Sequence, residues 1–373
     1  MNAPKLRFKE FNDEYKYRNL SDISTLIKDG THGTHENSEN GIPLLSAKDI
    51  NNNKINIPED CRKISVDDYN KIYKNYLLKK DDILLTIVGS IGRTALYKNE
   101  KVAFQRSVAT IRIDDNNNSN YIRQYIESPI IINQLNNMTN SSAQGGVYLS
   151  SLSKLNFDIP RKEEQLKVAK FLSLLDKKIE LQFKKIEDLK LFKKGLSTTI
   201  FNSLRDFEEY KLGKICNITT GKLDANAMID NGKYRFYTCA KEYSLIDKYA
   251  FDTEALLISG NGAYVGYIHY YKGKFNAYQR TYVLDNFSQN IQFIKCYLEE
   301  NLAKRINSEK KEGNTPYIVL STLSDMVIKI PSKENQIKIS NIINCHNKKI
   351  ELEENKLLKL QELKKGLMQS MFV

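Results

Sequence analysis

Apolar residues step by three and four through residues 160–201, at Val168, Leu172, Leu175, Ile179, Ile186, Leu189, Leu196 and Ile200. The same register returns near the C-terminus at Ile339, Ile343, Ile350, Leu357, Leu360, Leu367 and Met371. Such spacing predicts two long amphipathic helices with a seam of heptad type. The two stretches align without a gap at an offset of 171 residues, sharing Pro160/Pro331, Glu163/Glu334 and Gln165/Gln336. Lys177–Leu181 returns as Lys348–Leu352, and Lys193–Leu196 as Lys364–Leu367. Proline at the entry and glutamate in the first turn suit the positive end of a helix. Even the polar interruptions of the seam coincide, Gln182 with Glu353 and Lys193 with Lys364. Repetition of this quality predicts two helices that pack on each other.

Between and before the helices the pattern shortens to strands and turns. Residues 1–13 read as an arm. Residues 14–160 and 204–331 read as two globular blocks, each followed by a long helix, at 161–203 and 332–373. Asp82–Val88 is a strand by composition, as is Glu254–Ile258 in the second block. Each runs into a glycine-bearing turn, Gly89–Arg93 and Gly260–Gly266. Val102–Ile111 reads as one further strand, and Phe104-Gln105-Arg106-Ser107 within it matches Tyr278-Gln279-Arg280-Thr281 at an offset of 174. Tyr121–Asn136 and Ile291–Lys304 read as helices. Leu149–Ser153 returns as Leu320–Ser324. Nothing in the second block matches Asp49–Lys80. The fold class expected is α+β: two pseudo-symmetric α/β blocks joined by two long helices in an antiparallel coiled coil.

A compact second block must begin and end near the same point, so the second helix can pack on the first only by running back along it. About forty helical residues make a rod of roughly 60 Å. The expected arrangement carries one globular block at each end of a two-fold helix pair. Duplex DNA has local two-fold axes of its own, and paired readers use protein geometry to set half-site spacing. Two blocks of different sequence would read two different patches.

Composition sharpens this picture without redirecting it. The chain has 373 residues, enough for two or three domains, and a formal net charge of +12. That surplus favours an anionic partner, nucleic acid before a membrane surface. Five cysteines are scattered with no C-x-x-C pair, which points to a reducing cytoplasm rather than a disulfide framework. The stretch MNAPKLRFKEF has no apolar core of signal-peptide length, and no apolar run is long enough to span a bilayer.

Motifs that carry catalysis are missing from the sequence. There is no [DNS]-P-P-[FYW] motif to hold a flipped adenine, no phosphate-binding G-x-x-x-x-G-K-[ST], and no G-x-G-x-x-G opening a helix. Gly260-Asn261-Gly262 reads as a turn. His32 and His35 lack a nearby Cys, Asp or Glu cluster in sequence to complete a metal site. His346 falls on the helix seam. A stand-alone methyltransferase is therefore disfavoured, and a coiled-coil scaffold without DNA readout is the alternative to a DNA reader.

The paired I-P-x-x-x-E-[EN]-Q entries at Ile159–Gln165 and Ile330–Gln336, the K-K-G-L helix ends, the L-x-x-I…G block starts and the Leu6-Arg7-Phe8 arm have a family likeness. Over essentially its whole length the chain resembles the specificity subunits of type I restriction-modification systems. The resemblance implies two target recognition domains that each read half of an asymmetric, bipartite double-stranded DNA sequence. It implies a helix pair that sets the spacer and docks two modification subunits, which bind S-adenosylmethionine and methylate adenine N6. Restriction subunits, using ATP and Mg, would complete the endonuclease. The chain itself would hold no cofactor or metal, catalyse nothing, and work in a bacterial or archaeal cytoplasm. The family pattern is expected to be complete here, C-terminal helix included.

Polar residues in the loops between strands are the candidates for touching DNA. In the first block they are Thr31, His32, Thr34, His35, Lys48, Ser90, Arg93, Gln105, Arg106 and Gln144. In the second they are Thr220, Lys222, Lys241, Asn261, Tyr264, Gln279, Arg280, Lys311 and Asn314. Arginine pairs with guanine edges and glutamine or asparagine with adenine, whereas lysine more commonly meets phosphate. The repeated Gln-Arg pairs serve either as shared structural or phosphate contacts or as base readers.

Overall fold

The computed structural model describes residues 3–140, 145–309 and 317–373. The chain divides into two compact units, Met1–Phe183 with Lys356–Val373, and Lys184–Asn355. No helix among the described residues is long and apolar enough to cross a membrane.

In the first unit an arm leads to β1 (Lys16–Asn19), β2 (Ser24–Asp29) and β3 (Ile42–Leu45). β4 (Ile50–Asn51) and β5 (Lys54–Ile55) form a hairpin whose turn residues, Asn52 and Asn53, both take positive φ, as a two-residue hairpin turn of this hand requires. Next come β6 (Lys63–Ile64) and α1 (Val66–Ile72), whose first turn is capped by the Ser65 hydroxyl oxygen accepting from Asp68 N at 3.1 Å. β7 (Ile83–Thr86), β8 (Thr94–Leu96), β9 (Ala103–Phe104) and β10 (Val108–Ile113) follow. β2, β10, β7 and β8 lie in that order in an antiparallel sheet. Ile83 and Leu85 enter the core on one face, and Leu84 enters a second core on the other. Burial on both faces explains why β7 is a continuous apolar run rather than an alternating one.

Two expectations for this unit are corrected. Val102–Ile111 is not one strand: Gln105, Arg106 and Ser107 form a turn between β9 and β10, closed by Val108 N donating to Gln105 O at 3.0 Å. Tyr121–Asn136 is not one helix but α2 (Ser119–Ile126) and α3 (Pro129–Asn140). Pro129 has no N–H to donate and disfavours helical geometry at Ser128, so the helix restarts there. α4 (Leu149–Leu152) and β11 (Asn156–Ile159) then return the chain to β1, with which β11 pairs antiparallel.

α5 (Lys162–Asn202) follows, and its residues from Lys184 belong to the second unit. There β12 (Glu208–Lys211), α6 (Leu212–Ile215), β13 (Asn217–Thr220), β14 (Tyr234–Tyr237), β15 (Ser244–Ile246), β16 (Phe251–Ser259), β17 (Ile268–Ala277) and β18 (Thr281–Asp285) succeed one another. They build a six-stranded sheet in the order β13-β18-β16-β17-β14-β15, with β14 parallel to β17. α7 (Ile291–Glu309) has no proline to break it and runs past its expected end at Lys304. α8 (Leu320–Ser324) and β19 (Val327–Ile330) lead to α9 (Lys333–Met371), and β19 pairs with β12 as β11 does with β1.

Both long helices are fastened to their unit in the same way at each end. At the start of α5 the buried Gln165 donates from Nε2 to Pro160 O and to Asn117 Oδ1, both at 2.9 Å, and accepts from Asn118 N at 2.8 Å. Gln336 of α9 repeats this with Pro331 O, Gln289 Oε1 and Asn290 N at 2.9, 2.9 and 3.0 Å. Asn118 and Asn290 are the N-caps of α2 and α7, accepting from Tyr121 N and Phe293 N at 2.9 Å. The glutamine of the repeated entry motif therefore pins each long helix to a capping residue of a domain helix. At the far end of α9, Phe372 packs on Tyr121 and Tyr125, with ring centroids at 5.4 and 4.6 Å. At the far end of α5, Phe201 packs on Phe293 and Tyr297 at 6.0 and 5.4 Å.

Within each unit the two helix segments run antiparallel. In the first, Asp176 Oδ1 meets Lys364 Nζ at 2.6 Å, and Leu172 shares a core with Met368. In the second, Lys185 Nζ meets Glu353 Oε1 at 3.0 Å, and seven residues on, Phe192 meets His346 at 5.2 Å between centroids. The charged interruptions of the seam are thus ion-paired, Glu353 with Lys185, Lys193 with Glu299 at 3.6 Å and Lys364 with Asp176.

Candidate nucleic-acid interface

Sheet topology decides where the candidate residues gather. In the first unit Asp29 pairs with Ala109 and Thr86 with Val108, so β2 and β7 end where β10 begins. The loop after β2, the turn after β7 and the turn before β10 therefore emerge from one end of the sheet. Thr31, His32, Thr34, His35, Ser90, Arg93, Gln105 and Arg106 all belong to these three segments. Backbone bonds join them: Arg106 N donates to Thr31 O at 3.0 Å, and Ile87 N to Ser107 O at 2.9 Å. Lys48 is brought in by β3, because Gln105 N donates to Leu45 O at 2.8 Å and Ala47 N to Ser107 Oγ at 3.0 Å. A small cleft lined by Ser46, Lys48, Arg62 and Gln105 results.

The two histidines are held by carboxylates that lie apart from each other. His32 Nε2 is 2.6 Å from Asp29 Oδ2, and His35 Nδ1 is 3.3 Å from Asp68 Oδ2. No group of three potential metal ligands occurs among the described residues. Lys48, Arg93 and Arg106 are exposed and, among the described residues, have no carboxylate partner. Unneutralised cations on a rim of turns present positive potential to an approaching anion.

In the second unit Thr220 pairs with Tyr282 and Ser259 with Thr281, so β13 and β16 end where β18 begins. Thr220, Lys222, Asn261, Tyr264, Gln279 and Arg280 share that end. Gly260 N donates to Arg280 O at 2.9 Å and Gln279 N to Leu223 O at 2.9 Å. Lys241 joins them from the loop after β14, with its ammonium 5.3 Å from the centre of the Tyr264 ring, a cation–π distance. Lys222 and Arg280 have no carboxylate partner among the described residues. Gln144, Lys311 and Asn314 lie outside the described residues.

The repeated Gln-Arg pair proves to be out of structural register by one residue. Gln105 N to Leu45 O corresponds to Tyr278 N to Tyr237 O, and Val108 N to Gln105 O corresponds to Thr281 N to Tyr278 O. Gly30 and Gly221 confirm the alignment: a Cβ on them would strike Phe104 O and Ala277 O, at 2.1 and 1.8 Å. The backbone repeats at an offset of 173, which sets Gln105 against Tyr278 and Arg106 against Gln279. The sequence match at 174 is therefore not the structural register of these two turns.

Several residues that shape these surfaces escaped sequence reasoning. Asp68 and Arg62 reach the loop after β2 from about thirty positions away, Arg62 through its guanidinium donating to His35 O. Tyr76 donates to Asp29 O at 3.2 Å, and burial, with the Asp29 charge, pushes its hydroxyl up to about 12, so it stays a donor. In the second unit Asp224 accepts from Gln279 Nε2 at 2.7 Å, and Tyr267 packs edge-on against His269 at 4.8 Å. His269 is pushed down by burial, partly countered by its bond to Ala240 O at 2.9 Å, and so donates from Nε2 as a neutral ring. Asp224 and Tyr267 lie close in sequence to the candidates Lys222 and Tyr264. The others had no local signal, since only tertiary pairing brings them near.

Residues 12–191 and 205–362 match the family described as type I restriction modification DNA specificity domain. The chain belongs to this family. The specificity subunit of the type I restriction enzyme EcoDI from Escherichia coli is 35% identical over 165 residues, covering 44% of this chain and 36% of that protein. The putative type I restriction enzyme MjaX specificity subunit from Methanocaldococcus jannaschii is 24% identical over 232 residues, covering 57% of this chain and 52% of that protein. The chain thus spans about a third to a half of these two relatives. The S subunit of the type I restriction-modification system from M. genitalium shares the fold, with a TM-score of 0.65 at 18% identity, over 100% of this chain and 99% of that one. A further solved chain, from a study of type I R-M complex assembly and conformational transition, aligns with a TM-score of 0.58 at 13% identity, over 96% of this chain and 97% of that one.

Proposed function

We propose that the chain is the DNA-specificity subunit of a type I restriction-modification complex, each unit reading one half of an asymmetric, bipartite duplex target. One observation supports this above the others: in a member of this family, both units gather unpaired cations and amide side chains at the corresponding end of a sheet. Arg93, Arg106 and Arg280 are suited to guanine edges or phosphates, and Gln105, Asn261 and Gln279 to adenine. On this reading the long helices set the number of unread base pairs and carry two modification subunits, which bring S-adenosylmethionine and methylate adenine N6. Restriction subunits would bring ATP and Mg. The chain supplies recognition without catalysis, in the cytoplasm of a bacterium or archaeon.

Methylome sequencing of a host carrying the chain with type I modification subunits tests the proposal. A split adenine-methylated motif is the expected result. Exchanging residues 204–331 for those of a relative should alter one half of it only. Modification without any motif dependent on this chain would leave a protein scaffold as the better reading.

A further inference from the structure

The loop between β2 and β3 in the first unit is an excursion of twelve residues, from Gly30 to Gly41. Such a loop would be costly to order on binding if it were free. Instead it is tied at several points to the segment 46–80, in which β6 pairs with β3 as β15 pairs with β14, while Asp49–Lys80 otherwise has no sequence match in the second unit. At its root Tyr76 donates to Asp29 O at 3.2 Å. At its centre Arg62 donates to His35 O, and Asp68 Oδ2 lies 3.3 Å from His35 Nδ1. Beyond that, Lys63 N donates to Asn37 Oδ1 at 3.3 Å, and Ser38 N to Lys63 O at 3.0 Å.

The middle tie continues inward, with His35 Nε2 hydrogen-bonded to the Thr31 hydroxyl, 2.8 Å away. The hydroxyl oxygen in turn accepts from Gly33 N at 3.1 Å. The Asp68 carboxylate beside Nδ1 thus backs a chain of contacts that runs through His35 to the Thr31 hydroxyl and the turn at Gly33. Thr31 is bridged to Gln105, so the chain of bonds ends at the turn carrying Arg106.

We infer that Asp68, Arg62 and Tyr76 are positioning residues for half-site recognition: from the segment 46–80, whose Lys48 remains a candidate DNA contact, these three hold the first unit's reading loop in its DNA-competent shape without themselves touching DNA. The inference rests on the proposed function and adds to it a reason for the asymmetry between the units. It also makes His35 a strut within the reading loop rather than a base-contacting side chain.

The test is selection from a randomised duplex library by the full chain with type I modification subunits, comparing wild type, Asp68→Asn and Tyr76→Phe. Both variants should lose about tenfold in base discrimination, roughly one good contact's worth, in one half-site only. The other half-site and the slope of affinity against salt, which counts phosphate contacts, should not move. A general folding defect lowers the active fraction but leaves discrimination intact. Tyr76→Phe removes only a hydroxyl, so it keeps the test decisive if Asp68→Asn folds poorly. Unchanged preferences in the variants, or equal loss in both half-sites, would overturn the positioning role. A wild type that selects no split motif would bring down the functional reading itself, and the inference with it.

Discussion

In the first unit the loop that follows β2 is tied down by side chains up to 47 positions away. In the second, the corresponding loop after β13 is held largely from nearby strands, by Gln279 on Asp224 and by Ile229 N donating to Leu245 O at 2.8 Å. The frames around these loops are near duplicates: Gln165 and Gln336 make matching bonds, and Phe372 and Phe201 pack on matching aromatic pairs. Frame and reading edge therefore follow different rules. The frame keeps its residues because each satisfies buried backbone groups or fills a core. At the edge one backbone tie repeats, Ser38 N to Lys63 O and Ile229 N to Leu245 O, while the side-chain ties differ between the units.

The largest effect should come from breaking the frame. Phe372→Ala and Phe201→Ala each empty an aromatic cluster and should cost about 3–5 kcal/mol, read by chemical denaturation with probes in each unit. Each should weaken its own unit; a loss shared equally by both would mean the units do not unfold separately. Next, Gln165→Ala and Gln336→Ala strand buried donors and acceptors and should cost about 2–3 kcal/mol each. The near equality of that pair is the point to check.

At the edges the effects should be smaller and selective. Arg106→Ala and Arg280→Ala should each weaken DNA binding by about 1–3 kcal/mol if they contact bases, each relaxing a different half-site in a selection experiment. Weakening uniform across sequences, with a shallower salt slope, would assign them to phosphates instead. The smallest effect concerns pH and only the second unit. His269 has its folded pKa depressed below the ordinary 6.5, so the unfolded chain binds the proton more readily. Its contribution is present above about 6.5 and declines as pH falls through the depressed value. Acidification should therefore destabilise the second unit through this group, and His269→Gln should remove that part of the slope in a melting-temperature series.

Much of the frame was legible because it repeats. A heptad seam and a gapless offset reveal two helices, and the entry glutamines stand out before their partners are known. The break at Pro129 was legible too, had proline chemistry been weighed above apolar periodicity across Tyr121–Asn136. The turn at Gln105–Ser107 was not, because Val102–Ile111 is apolar enough to pass for one strand on either side of it. For the reading edges, the sequence marked polar loops, and sheet topology brings the described candidates to one end of each sheet.

By itself, then, the sequence determined the two long helices, their antiparallel sense, the order of the blocks and the family. These follow from periodicity and repetition, which are local or nearly so. Only the tertiary structure decided which loops share one end of each sheet and which side chains tie them there. It moved the Gln-Arg pairs one residue out of register, since strand pairing, not residue identity, sets equivalence. It also tied His35 to Asp68 and Asp29 to Tyr76, because contacts made across a sheet end leave no periodic trace along the chain.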